Sequence, residues 1–227
     1  MPVRALVFDV FGTLVDWRSS VAAAFAEAGM PGDPGDLADE WRERFWPIIG
    51  AILGGERDWA NFDELHAETL GALLAQREVE ADDDARRKLV RAWHALDPWP
   101  DAPSGLAALR ERHVTGALSN GHTALLVDLA RHGDLRFDCL ISAELSRSYK
   151  PARAVYESAP RLLGLEADEV MLVAAHPLDL EGARRAGLRS AFVDRPLEYG
   201  PDSPPREDPK ADFSVADLHE LADALAA

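Results

Sequence analysis

Apolar and polar positions along the chain follow two rhythms. Short, nearly continuous apolar runs recur at "ALVFDV", "VTGALS", "CLIS", "VMLVAA" and "SAFV", and a last one at "DFSV" precedes a C-terminal helical pattern, "ADLHELADALAA". Runs of this length, rich in β-branched residues and closed by turn formers, predict strands buried on both faces. Between them lie segments with an apolar residue every three or four positions, notably "TALLVDLARHG" and "ARAVYESAPRLLG", which predict helices. Strand and helix in alternation predict an α/β fold, a doubly wound parallel sheet.

One stretch breaks the alternation. Residues 16–96 carry helical periodicity alone, in "SSVAAAFAEAG", "LADEWRERFW", "FDELHAETLGALLAQ" and "DDDARRKLVRAWHAL". These are too many helices for one crossover, so the pattern predicts a helical cap over 16–96, inserted after the first strand of a Rossmann-like core formed by 1–15 and 97–227. The prolines and Gly105 of "DPWPDAPSG" read as a linker where the core resumes. "PLEYGPDSPPREDPK" reads as a polar surface excursion rather than a functional element.

Composition narrows the function. A chain of 227 residues can bury a full core and carry an insert. Its net charge of -16 and pI near 4.8 argue against nucleic acid or an anionic membrane surface as partner. Any anionic substrate then needs locally placed cations, which makes single Arg and Lys residues informative. The one cysteine, Cys139, excludes an internal disulfide and a multi-cysteine zinc site, and reads as a small core residue. The start, "MPVRALVFDV", lacks a signal-peptide pattern and no apolar run reaches membrane-spanning length, so a cytoplasmic enzyme is expected.

Polar residues gather at the predicted strand ends. Asp9 closes the first strand, with Gly12 and Thr13 after it; Ser119, Asn120 and Gly121 close the second; Lys150 stands in "RSYKP"; "VAAHPLDLEGAR" carries His176 and Asp179. Ligands of open α/β sheets sit beyond the carboxyl ends of the strands, which places Asp9 for chemistry. A strand-end cap is the bland alternative.

This order of motifs, D-x-x-G-T, Ser-Asn, Lys-Pro and an acidic loop with a helical cap after the first, resembles the haloacid dehalogenase superfamily over essentially the whole chain. The resemblance implies Asp9 as a covalent nucleophile. The superfamily's magnesium phosphatases carry a second aspartate two positions on, which here is Phe11, and a G-D-S-x-x-D loop, which here presents Ala174, Ala175 and His176 and leaves Asp179 as its acid. A departing halide needs no proton donor and a substrate without phosphate needs no divalent ion. The pattern is similar to the type II (S)-2-haloacid dehalogenases in "FDVFGTL", "WRERF", "LSNG", "YKP" and "AAHPLDLEGAR".

That likeness implies the remaining roles, with no cofactor and no metal. Arg42, after Trp41, receives the substrate's charge or the leaving halide, although an Arg is otherwise a solvated helix residue. Arg44, two positions on, points elsewhere. Lys150 holds Asp9 ionised; Thr13 and Ser119 donate hydrogen bonds to carboxylates; Asn120 offers an amide to the halide. Asp179 orients Lys150 and the hydrolytic water, or else partners the start of a helix. Tyr156 fits the family's K-P-x-x-x-V-Y pattern and equally a core position. Phe11, Trp46, Trp59 and Phe62 are expected in an apolar wall around the reacting groups. His176 stands where better-known members carry asparagine; imidazole can accept a proton near neutrality, and a histidine before Pro177 can also be structural. The implied partners are a short 2-haloacid and its halide, with a homodimer as one assembly. Ring-amine displacement, residual phosphatase activity and a non-catalytic binding protein of the same fold stay open as alternatives.

Overall fold

β1 (Ala5–Phe8) is buried along its whole length in the computed structural model, which describes residues 2–203 and 210–226. β2 (Val114–Ser119) and β4 (Val170–Ala174) flank it in parallel, Ala5 standing opposite Val114 on one side and Val170 on the other. β3 (Cys139–Ser142) lies outside β2, and β5 (Arg189–Val193) and β6 (Phe213–Val215) continue beyond β4, giving a six-stranded sheet of order β3-β2-β1-β4-β5-β6. The two-residue period of a strand divides the core. Leu6, Phe8, Met171 and Val173 enter one apolar cluster, while Ala5, Val7, Val170, Leu172 and Ala174 enter the other. The chain winds outward from β1 to β3 and then crosses to β4, so the crevice at the carboxyl ends of β1 and β4 is the topological switch point.

Between β1 and β2 run α1 (Trp17–Glu27), α2 (Pro34–Glu43), α3 (Phe45–Leu53), α4 (Phe62–Gln76), α5 (Asp83–Ala92) and α6 (Ala102–Arg110). The later helices are α7 (Thr123–His132), α8 (Arg153–Leu163), α9 (Pro177–Arg185) and α10 (Leu218–Ala226). Asp16, Asp33, Asn61 and Asp82 start α1, α2, α4 and α5 by accepting backbone N–H groups of the first turn, and Glu64 completes a capping box on α4. Among the described residues no helix is long and apolar enough to cross a membrane. Cys139 is half-buried and packs against the second cluster.

Three segments differ from expectation. "LADEWRERFW" is two helices meeting at Arg44, because Pro47 has no N–H to continue the ladder. "DPWPDAPSG" is not a linker throughout: α6 begins at Ala102, with Pro103 in the first turn, where a missing N–H costs nothing. The start of "PLEYGPDSPPREDPK" is no surface excursion at Glu198, which is 1% exposed; residues 204–209 of that stretch lie outside the described residues.

Gly105 explains itself by packing. A Cβ there would stand 2.4 Å from Leu218 Cβ and 3.2 Å from the Leu218 carbonyl carbon, so α10 passes directly over it. Gly105→Ala adds about 1 kcal/mol of helix propensity, but the clash is with Leu218 Cβ, an atom whose position the backbone fixes, and cannot relax by rotamer change. We expect a net destabilisation of about 1–3 kcal/mol, read as a lowered urea midpoint.

Candidate active site

Asp9 follows β1 by one residue, 7% exposed, and its carboxylate is fully engaged. Thr13 Oγ1 donates to Oδ2 at 2.8 Å, Lys150 Nζ donates to Oδ1 at 3.2 Å, and His176 Nδ1 lies 3.1 Å from Oδ2. The Thr13 hydroxyl in turn accepts the Ala175 N–H at 3.0 Å, which locks the β1 loop to the β4 loop. Lys150 Nζ also donates to Asp179 Oδ2 at 2.7 Å, and the Tyr156 hydroxyl donates to Asp179 Oδ1 at 2.7 Å. On the far side of His176, Nε2 is 3.0 Å from Glu198 Oε1, which also accepts from Trp17 Nε1 at 3.0 Å.

Burial would raise the Asp9 pKa, but the Lys150 charge, the hydrogen bond and charge of His176 and the Thr13 hydroxyl together hold it well below the usual carboxylate range. Asp179 moves the other way: burial and the charge of Asp9 raise it, against the pull of Lys150 and Tyr156. Burial would lower His176, yet the Glu198 charge and the bonds to Asp9 and Glu198 push it up to about 10. The two carboxylates thus favour the imidazolium at neutral pH, which donates to Asp9 and Glu198, over the proton acceptor that is one of the two sequence readings of this residue. Burial pushes the Tyr156 phenol up, reinforced by the neighbouring Asp179 carboxylate, so it stays a donor.

A cavity of about 290 Å³ opens above this floor, lined by Asp9, Asn120, Lys150, Tyr156, His176 and Asp179 and walled by Phe11, Phe45, Trp46, Ile49, Phe62 and Tyr199. Arg42 lines it too. The guanidinium carbon lies 5.4–5.9 Å from the ring centroids of Phe11, Trp17, Phe45, Trp46 and Trp93. Desolvation lowers its pKa from the ordinary arginine value, opposed by the charges of Tyr199, Glu198 and Asp9. Rings hold the cation without using its N–H groups.

The family model for "haloacid dehalogenase-like hydrolase" matches residues 3–187. The chain belongs to that family. It is 32% identical over 206 residues to (S)-2-haloacid dehalogenase 1 of Pseudomonas sp. (strain CBS-3), covering 87% of this chain and 88% of that one. A solved defluorinating L-2-haloacid dehalogenase superposes with a TM-score of 0.94 at 40% identity, covering 99% of this chain and 96% of the other. The L-2-haloacid dehalogenase of Xanthobacter autotrophicus, solved with chloropropionic acid covalently bound, gives 0.85 at 28% identity over 99% and 98%.

Within this haloacid dehalogenase-like hydrolase, the expected residues divide. Asp9, Phe11, Arg42, Trp46, Phe62, Asn120, Lys150, Tyr156, His176 and Asp179 meet at the cavity. Thr13 is fully buried beneath it, and its hydroxyl joins Asp9 to the Ala175 N–H. Ser119 is also fully buried, and its Oγ accepts the Gly121 N–H at 3.2 Å, so it shapes the loop and does not line the cavity. Trp59 leaves the wall to stack on Tyr149 at 6.3 Å. Arg44 turns away to Gln76, 2.6 Å distant.

Glu198 and Tyr199 were hidden in a loop whose proline and glycine content reads as surface. Arg195 was missed as well: its Nε donates to the Thr13 carbonyl at 2.9 Å while its two Nη groups clasp Asp101 at 2.7 and 2.9 Å. Gly12, at φ +81°, leaves the space that the Glu198 carboxylate fills, since a Cβ would lie 2.1 Å from Glu198 Oε1. A glycine directly after an apolar residue in the nucleophile loop was the one available signal.

The His176 shift carries a pH signature. Its folded pKa of about 10 exceeds the ordinary 6.5, so the contribution of the Asp9–His176–Glu198 chain is complete below 6.5 and is lost as pH rises through about 10. We expect the urea midpoint of the wild type to fall more steeply than that of His176→Gln between pH 7 and 10. Parallel curves would remove the imidazolium from the account.

Proposed function

We propose that the chain hydrolyses short-chain (S)-2-haloalkanoic acids to (R)-2-hydroxyacids through an ester on Asp9. The observation that carries this reading is an ionised carboxylate on the floor of an apolar cavity, with an arginine that no described residue pairs lining the same space. A 2-haloacid is an anion with a carbon electrophile one bond from its carboxylate, and such a cavity can orient both ends.

In the first step an Asp9 oxygen attacks C2 opposite the halogen; the C–O bond forms as the carbon–halogen pair leaves with the halide, and C2 inverts. Arg42 and the Asn120 amide face the anions. Asn120 Oδ1 accepts the Lys150 N–H at 2.7 Å, which leaves its NH₂ for the cavity. In the second step water attacks the Asp9 acyl carbon and the acyl C–O bond breaks. One water proton passes towards Asp179, whose raised pKa suits a base, and the product oxygen takes a proton as Asp9 is regenerated. Lys150, Thr13 and His176 stabilise the negative charge on the Asp9 group throughout.

The superfamily's magnesium does not fit these residues. The positions that would supply its carboxylates are Phe11 and Ala175, and the two acids that remain, Asp9 and Asp179, are already bridged by Lys150 Nζ. The reading divides the chain into a core of 1–15 and 97–227 and a cap of 16–96, whose α2 brings Arg42 over Asp9. A cytoplasmic location and a homodimer accompany it, the latter checked by light scattering.

Halide release from (S)-2-chloropropionate, compared with phosphate release from p-nitrophenyl phosphate after exhaustive chelation, tests the proposal. We expect halide and no phosphate, with turnover unaffected by chelator; phosphate release restored by magnesium would sink it. Arg42→Lys keeps charge and loses the planar fork, and we expect kcat/KM to fall about 10- to 100-fold with the circular dichroism spectrum unchanged.

A further inference from the structure

Two residues of the cavity wall, Phe62 and Asn120, have neighbours that meet on the far side. Asp63 follows Phe62 on α4, His122 lies two positions after Asn120 at the head of α7, and His94 joins them from just beyond α5. Asp63 Oδ1 is 2.8 Å from His94 Nε2, and Asp63 Oδ2 is 3.7 Å from His122 Nε2. One ligand atom from each residue lies within 4.8 Å of the other two.

His122 is the telling member. It is 7% exposed, its Nδ1 is buried with no hydrogen-bond partner among the described residues, and its Nε2 stops short of hydrogen-bonding reach of Asp63. Its Nε2, the nitrogen that faces Asp63, takes no hydrogen bond among the described residues and stands open to an ion. His94, 3% exposed, has its second nitrogen fixed by a carboxylate: Nδ1 lies 2.7 Å from Asp128 Oδ2. A carboxylate behind the imidazole is the usual support of a metal-binding histidine, because it fixes the tautomer and leaves Nε2 for the ion. Arg91 also stands beside this ring, Nη1 at 3.0 Å from Nδ1 and 3.4 Å from Nε2, but its Nη2 pairs with the same Asp128 oxygen at 2.9 Å.

We propose that Asp63, His94 and His122 form a binding site for a transition-metal dication of the zinc class, tying α4 and the end of α5 to the loop after β2. Zinc–ligand bonds of about 2.0–2.1 Å in a tetrahedron set ligand atoms about 3.3 Å apart; His94 stands 2.8 Å from one Asp63 oxygen and His122 3.7 Å from the other, so small side-chain rotations bring one atom of each into that range. Two imidazoles and one carboxylate favour zinc over magnesium or calcium, which take oxygen ligands. Asp63 is half-buried, so a fourth position opens towards solvent and takes water. The site shares no residue with the Asp9 cluster. Its role is to brace the wall that carries Phe62 and Asn120, and it stands whether or not the proposed dehalogenation does.

The test uses the full chain, stripped of metal by chelation and titrated with zinc chloride by calorimetry, then with cobalt chloride by visible absorption. The expected result is one equivalent of bound zinc, a raised melting temperature and the visible band of tetrahedral cobalt. Asp63→Asn and His122→Gln each lose the band and the stoichiometric binding, with circular dichroism confirming the fold. Asp128→Asn weakens zinc binding about 10- to 100-fold. Binding that survives both ligand variants, or that is lost in His176→Gln instead, would overturn the assignment, as would absence of stoichiometric binding in the unaltered chain.

Discussion

An ionised carboxylate stays buried only where opposite charge and hydrogen-bond donors replace the water it gave up, and that requirement governs the whole upper face of this sheet. Asp9 meets it with one ammonium, one imidazolium and one hydroxyl, drawn from residues 150, 176 and 13. Each donor must itself be balanced. Lys150 is shared with Asp179, His176 with Glu198, and Thr13 is clamped by Ala175 N–H and, through its carbonyl, by Arg195. The sheet order makes this closure feasible, because β1 lies between the strands whose loops supply the partners. Three carboxylates, Asp9, Asp179 and Glu198, thus stand among Lys150, His176 and Arg42, in a chain whose overall charge is -16.

Much of this was legible in the residues. The strands announced themselves as short apolar runs, since a central parallel strand has no polar face to show. Asp9 was legible because it closes such a run, and Lys150, His176 and Asp179 because they stand in the short motifs beyond later strands, "YKP" and "AAHPLDLEGAR". Helix boundaries were less so: Pro47 ends α2 early and Pro103 begins α6, and one residue type serves both purposes according to which carbonyl lies four positions back.

What could not be read was burial produced by tertiary contact. Glu198 sits among residues that favour turns, and nothing local states that its carboxylate will be covered by Gly12, Trp17 and His176. The same holds for Ser119, whose place in the Ser-Asn motif suggests a ligand-facing hydroxyl, whereas its side chain is fully buried and its Oγ accepts the Gly121 N–H. Trp17 and Trp93, stacked with centroids 6.1 Å apart, belong to the surroundings of Arg42 although neither lies near it in sequence.

The aromatic enclosure of Arg42 has a bearing on discrimination. Ring faces attract a guanidinium through their quadrupoles, an attraction with little directional demand, whereas a carboxylate partner would have fixed the plane of the fork and consumed its donors. No described residue takes its hydrogen bonds, so the cation keeps that capacity for a guest and some freedom to rotate towards it. Such a receptor sorts anions by whether they fit between the rings rather than by a fixed pattern of acceptors. A spherical ion and a planar carboxylate can be held by the same side chain in turn, and the bulk of the surrounding rings, more than the arginine itself, becomes the quantity that sets which guests are admitted.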